Sequence, residues 1–311
     1  MIKTIILEKV SRNVVSEDFL KRCVAKMISA ASIYLPEDVK EALKKAYHEE
    51  ENPIAKEMFE AILENIEIAE REKRPICQDT GTVIFYVKAG DSFPLLGKVS
   101  KILREATIDA TRDTPLRPNA VDVITGRNSG DNTGERIPWI DWEIVSNSDE
   151  AEITVLLKGG GSESPSIAKV IPPGQGWKGA LKLAVDTIFE AGPKPCPPII
   201  LGVGVGATAD IAMILAKKAL LRKIGERNPR EEIAALEEKL LKAVNALGWG
   251  PHGVGGKTTA LDARIEIAHR HPATFAIGVA VNCWASRLST LKVTKDGVEF
   301  LTHKFLNEEV R

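Results

Sequence analysis

The sequence contains no apolar run approaching the roughly 18 residues that span a bilayer. Its opening Met1-Ile2-Lys3-Thr4-Ile5 also lacks a basic n-region, an apolar h-region and a cleavage site. These absences argue against a membrane protein and predict a cytoplasmic one. An excess of one charge sign is missing too, because 42 Lys and Arg stand against 43 Asp and Glu for a net charge of −1. No basic field invites nucleic acid, and no acidic excess suggests a solvating tail. Cysteine is scarce, with four residues at positions 23, 77, 196 and 283 of 311. That is too few for a disulfide framework, so each is a free thiol serving as core filler or as a ligand.

Hydrophobic residues make up 44% of the chain, which excludes intrinsic disorder and suffices for one large or two small domains. From Glu17 to Glu70 the apolar residues recur at helical spacing. Phe19, Leu20, Cys23, Val24 and Met27 line one face, and Glu37–Glu51 and Ala55–Arg71 repeat the pattern. Cys23 on such a face reads as core. After Pro75 the character changes. Thr82–Val87 reads as a strand, Val99–Thr111 as a helix, and Trp142–Val145 and Ala151–Leu157 as strands joined through Asn147-Ser148-Asp149. Helices follow at Gly179–Ala191, Asp210–Ile224 and Glu231–Leu247, with Gly248 as terminator. Strand-like runs lie at Pro198–Val205, Thr259–His269 and Thr274–Val281, and a hairpin is expected around Thr294-Lys295-Asp296-Gly297, where Asp-Gly is the usual turn pair. No internal repeat or linker divides the chain. The expected fold is mixed α/β (α+β): a single unit over 1–311, of one body or two intimate lobes, with a helical layer over 1–74 packed on a mixed-sheet region over 75–311.

Two motifs point to nucleotides and fail. Gly202-Val203-Gly204-Val205-Gly206 follows a strand and precedes a helix, but Ala207 stands where a dinucleotide turn has its third glycine, and no acidic residue ends a second strand further on. Gly255-Gly256-Lys257-Thr258-Thr259 resembles a phosphate loop, yet Pro251 occupies the position of its first glycine and has no N–H to offer. A glycine-rich anion-binding turn remains open there.

Cys77, Cys196 and Cys283 are separated by 119 and 87 residues, so no Cys-x-x-Cys element is present. Their surroundings are more informative. Cys77 lies in Arg74-Pro75-Ile76-Cys77-Gln78-Asp79-Thr80-Gly81, and Cys196 in the proline-rigid, extended Pro193-Lys194-Pro195-Cys196-Pro197-Pro198. Cys283 ends an apolar strand in Val281-Asn282-Cys283-Trp284-Ala285-Ser286-Arg287. Loop positions at element ends are where function is commonly displayed. Ligation by all three and ordinary filler both remain open on these grounds.

Together with Lys158-Gly159-Gly160-Gly161-Ser162 and Gly255–Thr259, these strings resemble the α subunit of the two-subunit iron–sulfur class I fumarases and L(+)-tartrate dehydratases, from about residue 40 to 300. The resemblance implies a [4Fe–4S] cluster held by Cys77, Cys196 and Cys283, with the fourth iron open to substrate. It also implies reversible hydration of fumarate to L-malate, with dehydration of tartrate to oxaloacetate or hydration of methylfumarate as alternatives. It further implies a separate β subunit of about 200 residues in an α2β2 assembly. An iron–sulfur electron carrier or sensor would need a fourth ligand and has no use for the triple glycine, and a metal-free scaffold is the remaining alternative.

The resemblance assigns Asp79 an acid/base role at the substrate hydroxyl and His271, twelve residues before Cys283, an active-site role. Arg117, forty residues after Cys77 in Pro115-Leu116-Arg117-Pro118-Asn119, offers a guanidinium fork for one carboxylate. Gln78 and the amides of Gly159 and Gly160 are candidates for the other. Lys257 screens the cluster, binds a carboxylate or only caps its glycine turn, and His252 and His269 are weaker candidates.

Overall fold

A computed structural model describes residues 15–309, and in it the N-terminal periodicity folds as three helices. Residues 1–14 of the expected helical region, which carry the leader reading, lie outside the described residues. Helix α1 (Glu17–Ile33) starts where Ser16 accepts from Phe19 N at 3.2 Å. Helix α2 spans Glu37–Glu49. Helix α3 (Pro53–Glu72) begins after Asn52, whose side chain accepts from Ile54 N at 3.0 Å, with Pro53 in the first turn where its missing N–H costs nothing.

The rest of the chain builds two sheets. Strands β1 (Thr82–Gly90), β2 (Trp139–Val145), β3 (Ala151–Lys158), β8 (Leu288–Thr294) and β9 (Gly297–Phe300) form the first, in the order β2-β1-β3-β8-β9. Helices α1 and α4 (Val99–Asp113) cover it, and the core between them includes Leu20, Met27, Phe85, Leu103 and Ile153. Cys23 belongs to that core, and burial raises its thiol to about 11. Strands β4 (Ile167–Ile171), β7 (Phe275–Asn282), β5 (Ile199–Ala207) and β6 (Ala260–Arg270) form the second sheet in that order. The short helix α5 (Gly160–Glu163) follows β3, helices α6 (Gly176–Ala191) and α8 (Glu231–Asn245) bury one face of the second sheet, and α7 (Ala209–Ala219) lies on the other. A third cluster, with Leu43 and Phe59 from α2 and α3, Ala216 from α7 and Trp284, joins the helical layer to the second sheet.

The segments either side of Asn147-Ser148-Asp149 are both strands, and β1 lies between them, parallel to β2 and antiparallel to β3. Other details need correction. Helix α7 ends at Ala219, five residues before the expected Ile224. The hairpin forms at the expected Thr294–Gly297, with Lys295 and Asp296 rather than Asp296 and Gly297 at its tip and Gly297 paired to Thr294. The extended reading of Pro193–Pro198 also fails, because Cys196 N donates to Pro193 O at 3.0 Å, closing a turn with Cys196 at φ +53. No helix among the described residues is long and apolar enough to cross a membrane.

The glycine alternation of β5 has a packing role. Val203 and Val205 point into the α6/α8 core, while Gly202 and Gly204 face α7, where an added Cβ would lie 2.1 Å from Ala216 O and 2.0 Å from Ala212 O. Gly278 on β7 meets the same helix, 2.4 Å from Ala212 O. Backbone atoms cannot step aside as a side-chain end can, so Gly204→Ala should lower stability by about 2 kcal/mol or more in denaturant unfolding. Gly174→Ala, which meets nothing within 4 Å, should stay within about 0.5 kcal/mol. Equal midpoints for the two variants would contradict this packing role.

Candidate active site

Strand register brings three separate loops to neighbouring positions. Thr82 at the start of β1 pairs with Lys158 at the end of β3, and Leu156 pairs with Leu288 at the start of β8. In the second sheet Ile200 near the start of β5 pairs with Asn282 at the end of β7. The Cys77 loop therefore enters β1 where Gly159 leaves β3, and Cys196 enters β5 where Cys283 leaves β7. Residues 283–287 cross from one sheet to the other.

Each loop is fixed by its backbone. Beside Cys77, Ile76 N donates to Ser32 O at 2.9 Å and Asn65 Nδ2 donates to Ile76 O at 3.0 Å. Gly81, at φ +90, closes the loop against β3, where a Cβ would lie 2.6 Å from the Leu157 carbonyl carbon. The Cys196 carbonyl accepts from Trp284 N at 3.3 Å, tying the second cysteine loop to the third. Burial raises the Cys196 thiol, and the neighbouring Cys283 and Cys77 thiols and Asp79 add to the rise while Arg287 opposes it. The three cysteines therefore share one electrostatic environment. Cys77 is exposed and the other two are partly buried. Among the described residues, no three His, Cys, Asp or Glu side chains converge tightly enough to hold a single metal ion.

Asp79 sits between the first loop and the triple glycine. Its Oδ1 accepts from Gly81 N at 3.0 Å and its Oδ2 from Gly160 N at 2.7 Å. The Gly160 amide is thus engaged by Asp79, a correction to the view that it is free for a carboxylate. Gln78 is exposed beside Cys77. Arg117 projects an exposed side chain from a loop whose carbonyl accepts from Thr80 Oγ1 at 3.1 Å and Asn132 Nδ2 at 3.2 Å. Gly159 is closely enclosed, since a Cβ there would lie 2.7 Å from Arg287 Nη2 and 3.2 Å from Asp79 Oδ2.

The structure does not bring His271 to the thiols. It occupies the turn between β6 and β7, at the opposite end of β7 from Cys283. The eight residues of that strand put it roughly 25 Å away at about 3.4 Å per residue. There it closes the turn, with Nδ1 accepting from Ala273 N at 3.1 Å. His269 lies on β6 near the same end. His252 is closer to the cysteines, its ring 6.3 Å from Trp284 and its backbone N donating to Pro197 O at 2.8 Å. Burial lowers its pKa. Lys257 is likewise taken up elsewhere: its Nζ pairs with Glu51 at 2.6 Å and its backbone N donates to Glu50 at 2.7 Å. The phosphate-loop lookalike thus cradles an internal anion, the Glu50 carboxylate.

Two basic residues not singled out in the sequence stand at the site. Lys158 is 3% exposed, with Nζ 2.8 Å from Ser162 Oγ and 3.3 Å from Glu163, which Lys217 also binds at 2.7 Å. Burial lowers Lys158 to about 8 against the opposing pull of Glu163 and Cys283. Arg287, also 3% exposed, donates from Nη1 to the Asp79 carbonyl and leaves Nε buried without a partner. Only their places in quoted strings signalled them. A cavity of about 940 Å³ lined by Lys40, Arg264, Leu288 and His303 lies elsewhere and includes none of the three cysteines.

Comparison with known proteins gives this arrangement its class. The model of the fumarate hydratase (fumerase) family matches residues 21–292, so the chain belongs to that family and is a hydro-lyase. It is 45% identical over 276 residues, 88% of this chain and 97% of the relative, to a Methanocaldococcus jannaschii protein provisionally named L(+)-tartrate dehydratase subunit alpha. It is 39% identical over 277 residues to proteins named L(+)-tartrate dehydratase subunit alpha in Escherichia coli K12 and in Shigella sonnei, covering 89% of this chain and 91% of each.

The Glu50 cradle generates a test of its own. Burial works against its charge, but the N–H groups of Asn52, Lys257 and Glu51 outweigh this and hold the carboxyl below its ordinary value of 4.5. A carboxyl lowered on folding contributes stability above its unfolded value, and that contribution is lost as pH falls through the folded value. Glu50→Gln should therefore cost about 1.5–3 kcal/mol at pH 7. The gap to the unsubstituted chain should narrow in urea unfolding near pH 3. A gap of equal size at both pH values would contradict the ionised cradle.

Proposed function

We propose that the chain is the α subunit of a two-subunit cytoplasmic hydro-lyase that adds water to fumarate, or removes it from L-malate, at a [4Fe–4S] cluster held by Cys77, Cys196 and Cys283. The observation that carries this reading is the gathering of these thiols from three loops beside Arg287. That residue is a buried guanidinium with no carboxylate within 4 Å among the described residues and an orphaned Nε. Such a group calls for an anion. The donor chemistry fits: a cubane distributes its thiolates over different irons, so it needs no convergence of three ligands on one ion. Cys23, sealed in the α1 core, is not available as a fourth ligand. Bound there, the cluster would supply a Lewis-acidic iron for the substrate hydroxyl.

The remaining chemistry falls to side chains of this subunit and its partner. Asp79, oriented by two backbone N–H groups two residues from Cys77, holds the proton exchanged at the hydroxyl. Arg117 takes one substrate carboxylate with its exposed fork, and Gln78 with the Gly159 amide takes the other. Gly160 reaches substrate only when Asp79 releases its amide. A β subunit of about 200 residues, in an α2β2 assembly, covers the open side near Cys77 and supplies the group that takes the carbon-bound proton. Dehydration of L(+)-tartrate to oxaloacetate is the second reading, favoured by the names of the relatives at 39–45% identity.

The test is anaerobic reconstitution of the two-subunit complex with iron and sulfide, followed by turnover of malate and of tartrate. A higher kcat/KM on malate supports the first reading and a higher value on tartrate the second; turnover of neither overturns both. Serine at any one of positions 77, 196 or 283 should abolish cluster assembly by iron and sulfide analysis, while Cys23→Ser keeps full iron content. Arg117→Met should lower kcat/KM on the order of 10- to 100-fold, the range for losing hydrogen bonds to a charged group. An unchanged value would remove Arg117 from the substrate site.

A further inference from the structure

Burying a charge without a partner is costly, so an unneutralised buried cation implies an anion that the chain alone does not contain. The groups around the thiols are unevenly balanced. Three cations, Lys158, Lys217 and Arg287, face two carboxylates, Glu163 and Asp79. Lys158 and Lys217 share Glu163, at 3.3 and 2.7 Å. Arg287 donates only to a carbonyl, that of Asp79, and makes no ion pair within 4 Å among the described residues. One positive charge is left over, held on side chains only 3% exposed. Lys158 ends β3 beside Gly159, against which the Arg287 guanidinium packs, and Arg287, four residues after Cys283, holds the carbonyl of Asp79, two residues after Cys77, so both cations stand where the cysteine loops meet.

We infer that Lys158 and Arg287 are positioning residues for the proposed cluster, a pair of buried counter-cations that neutralise its charge and set its reduction potential. The inference rests on the cluster reading above. Three thiolates outweigh the formal charge of the core, so the assembly is an anion, and its reduction adds one more negative charge. Net charge, nearby polar groups and solvent exposure are the factors that set such potentials. A fixed cation in a site of low dielectric stabilises the reduced form more than the oxidised one. The local network keeps both cations in place. Lys158 is bound through Ser162, whose hydroxyl donates to Gly159 O at 3.0 Å. Arg287 is anchored by its own backbone, whose carbonyl accepts from Leu157 N at 3.0 Å. Gly159 lies between them, and the absence of a side chain there leaves room for the guanidinium.

The experiment is a redox titration of the reconstituted two-subunit complex, following the EPR signal of the reduced cluster, with circular dichroism confirming the fold of each variant. Lys158→Gln and Arg287→Gln should each shift the midpoint negative by at least the equivalent of a tenfold change in the reduction equilibrium, about 59 mV for one electron. Arg287→Lys, which keeps the charge, should remain near the unsubstituted value. Because Arg287 also holds the Asp79 carbonyl, its glutamine variant can lose the cluster outright. Loss in Arg287→Gln with retention in Arg287→Lys supports the charge role. Unshifted midpoints in both glutamine variants, or equal shifts in Arg287→Lys and Arg287→Gln, overturn it. Failure of the unsubstituted complex to assemble any cluster instead overturns the cluster reading itself, so the two failures are distinguishable.

Discussion

Five residues between β7 and β8 hold the molecule together. The second sheet ends at Asn282 and the first resumes at Leu288, so the segment 283–287 limits how far the ends of the two sheets can separate. Every position in it makes a fixed contact. Trp284 N donates to the Cys196 carbonyl, the Cys283 and Ala285 positions pack in the third core cluster, and Asn282 donates to the Ser286 hydroxyl. The Arg287 side chain then reaches the Asp79 carbonyl. The crossing therefore joins all three cysteine loops to one another and to the triple glycine.

The glycine-rich strings show why composition alone is a weak guide to chemistry. Two of them resemble phosphate or dinucleotide turns and a third offers amides to a carboxylate, and each has a different physical task. In β5 the glycines admit the backbone of α7 to the sheet. At 255 and 256 the turn exposes the Lys257 amide to the Glu50 carboxylate, and at 159 and 160 the missing side chains make room for Arg287 and bring an amide to Asp79. Only the last lies at the candidate site. What distinguishes it is the charge around it, which depends on three-dimensional neighbours.

The helices and most strands were legible because their signal is local. Apolar spacing along Phe19 to Met27 marks the helix face that meets the core, and the unbroken β-branched and aromatic run from Thr82 to Val87 marks a strand buried on both faces. The short β4, almost wholly exposed, carries no such signal, and nothing local could show that β1 would lie between β2 and β3. The thiol neighbourhood was legible because its cysteines sit among prolines and polar turns. Lys158 and Arg287 are not recognisable in the sequence for a physical reason: in sequence a buried lysine looks like a surface one, and burial is decided by residues distant along the chain, as Thr82 is from Lys158 and Asp79 from Arg287. His271 illustrates the converse. Its distance of twelve residues from Cys283 looks short, yet an intervening strand turns twelve residues into a separation comparable to the length of a sheet.

Exposure across the site is graded, and the grading fits the charges. Cys196 and Cys283 are partly shielded, Lys158 and Arg287 are buried behind them, and Cys77, Gln78 and Arg117 face outward. Charge held at the back of a site acts through a low dielectric and is felt strongly, whereas charge at the rim is screened by water and salt. The buried cations are thus suited to a permanent, fixed anion, and the rim arginine to one that arrives and leaves. The same chain offers two kinds of positive charge for two kinds of negative one. Which kind a residue belongs to follows from its depth, because depth sets both the strength of the attraction and the cost of leaving the charge unpaired.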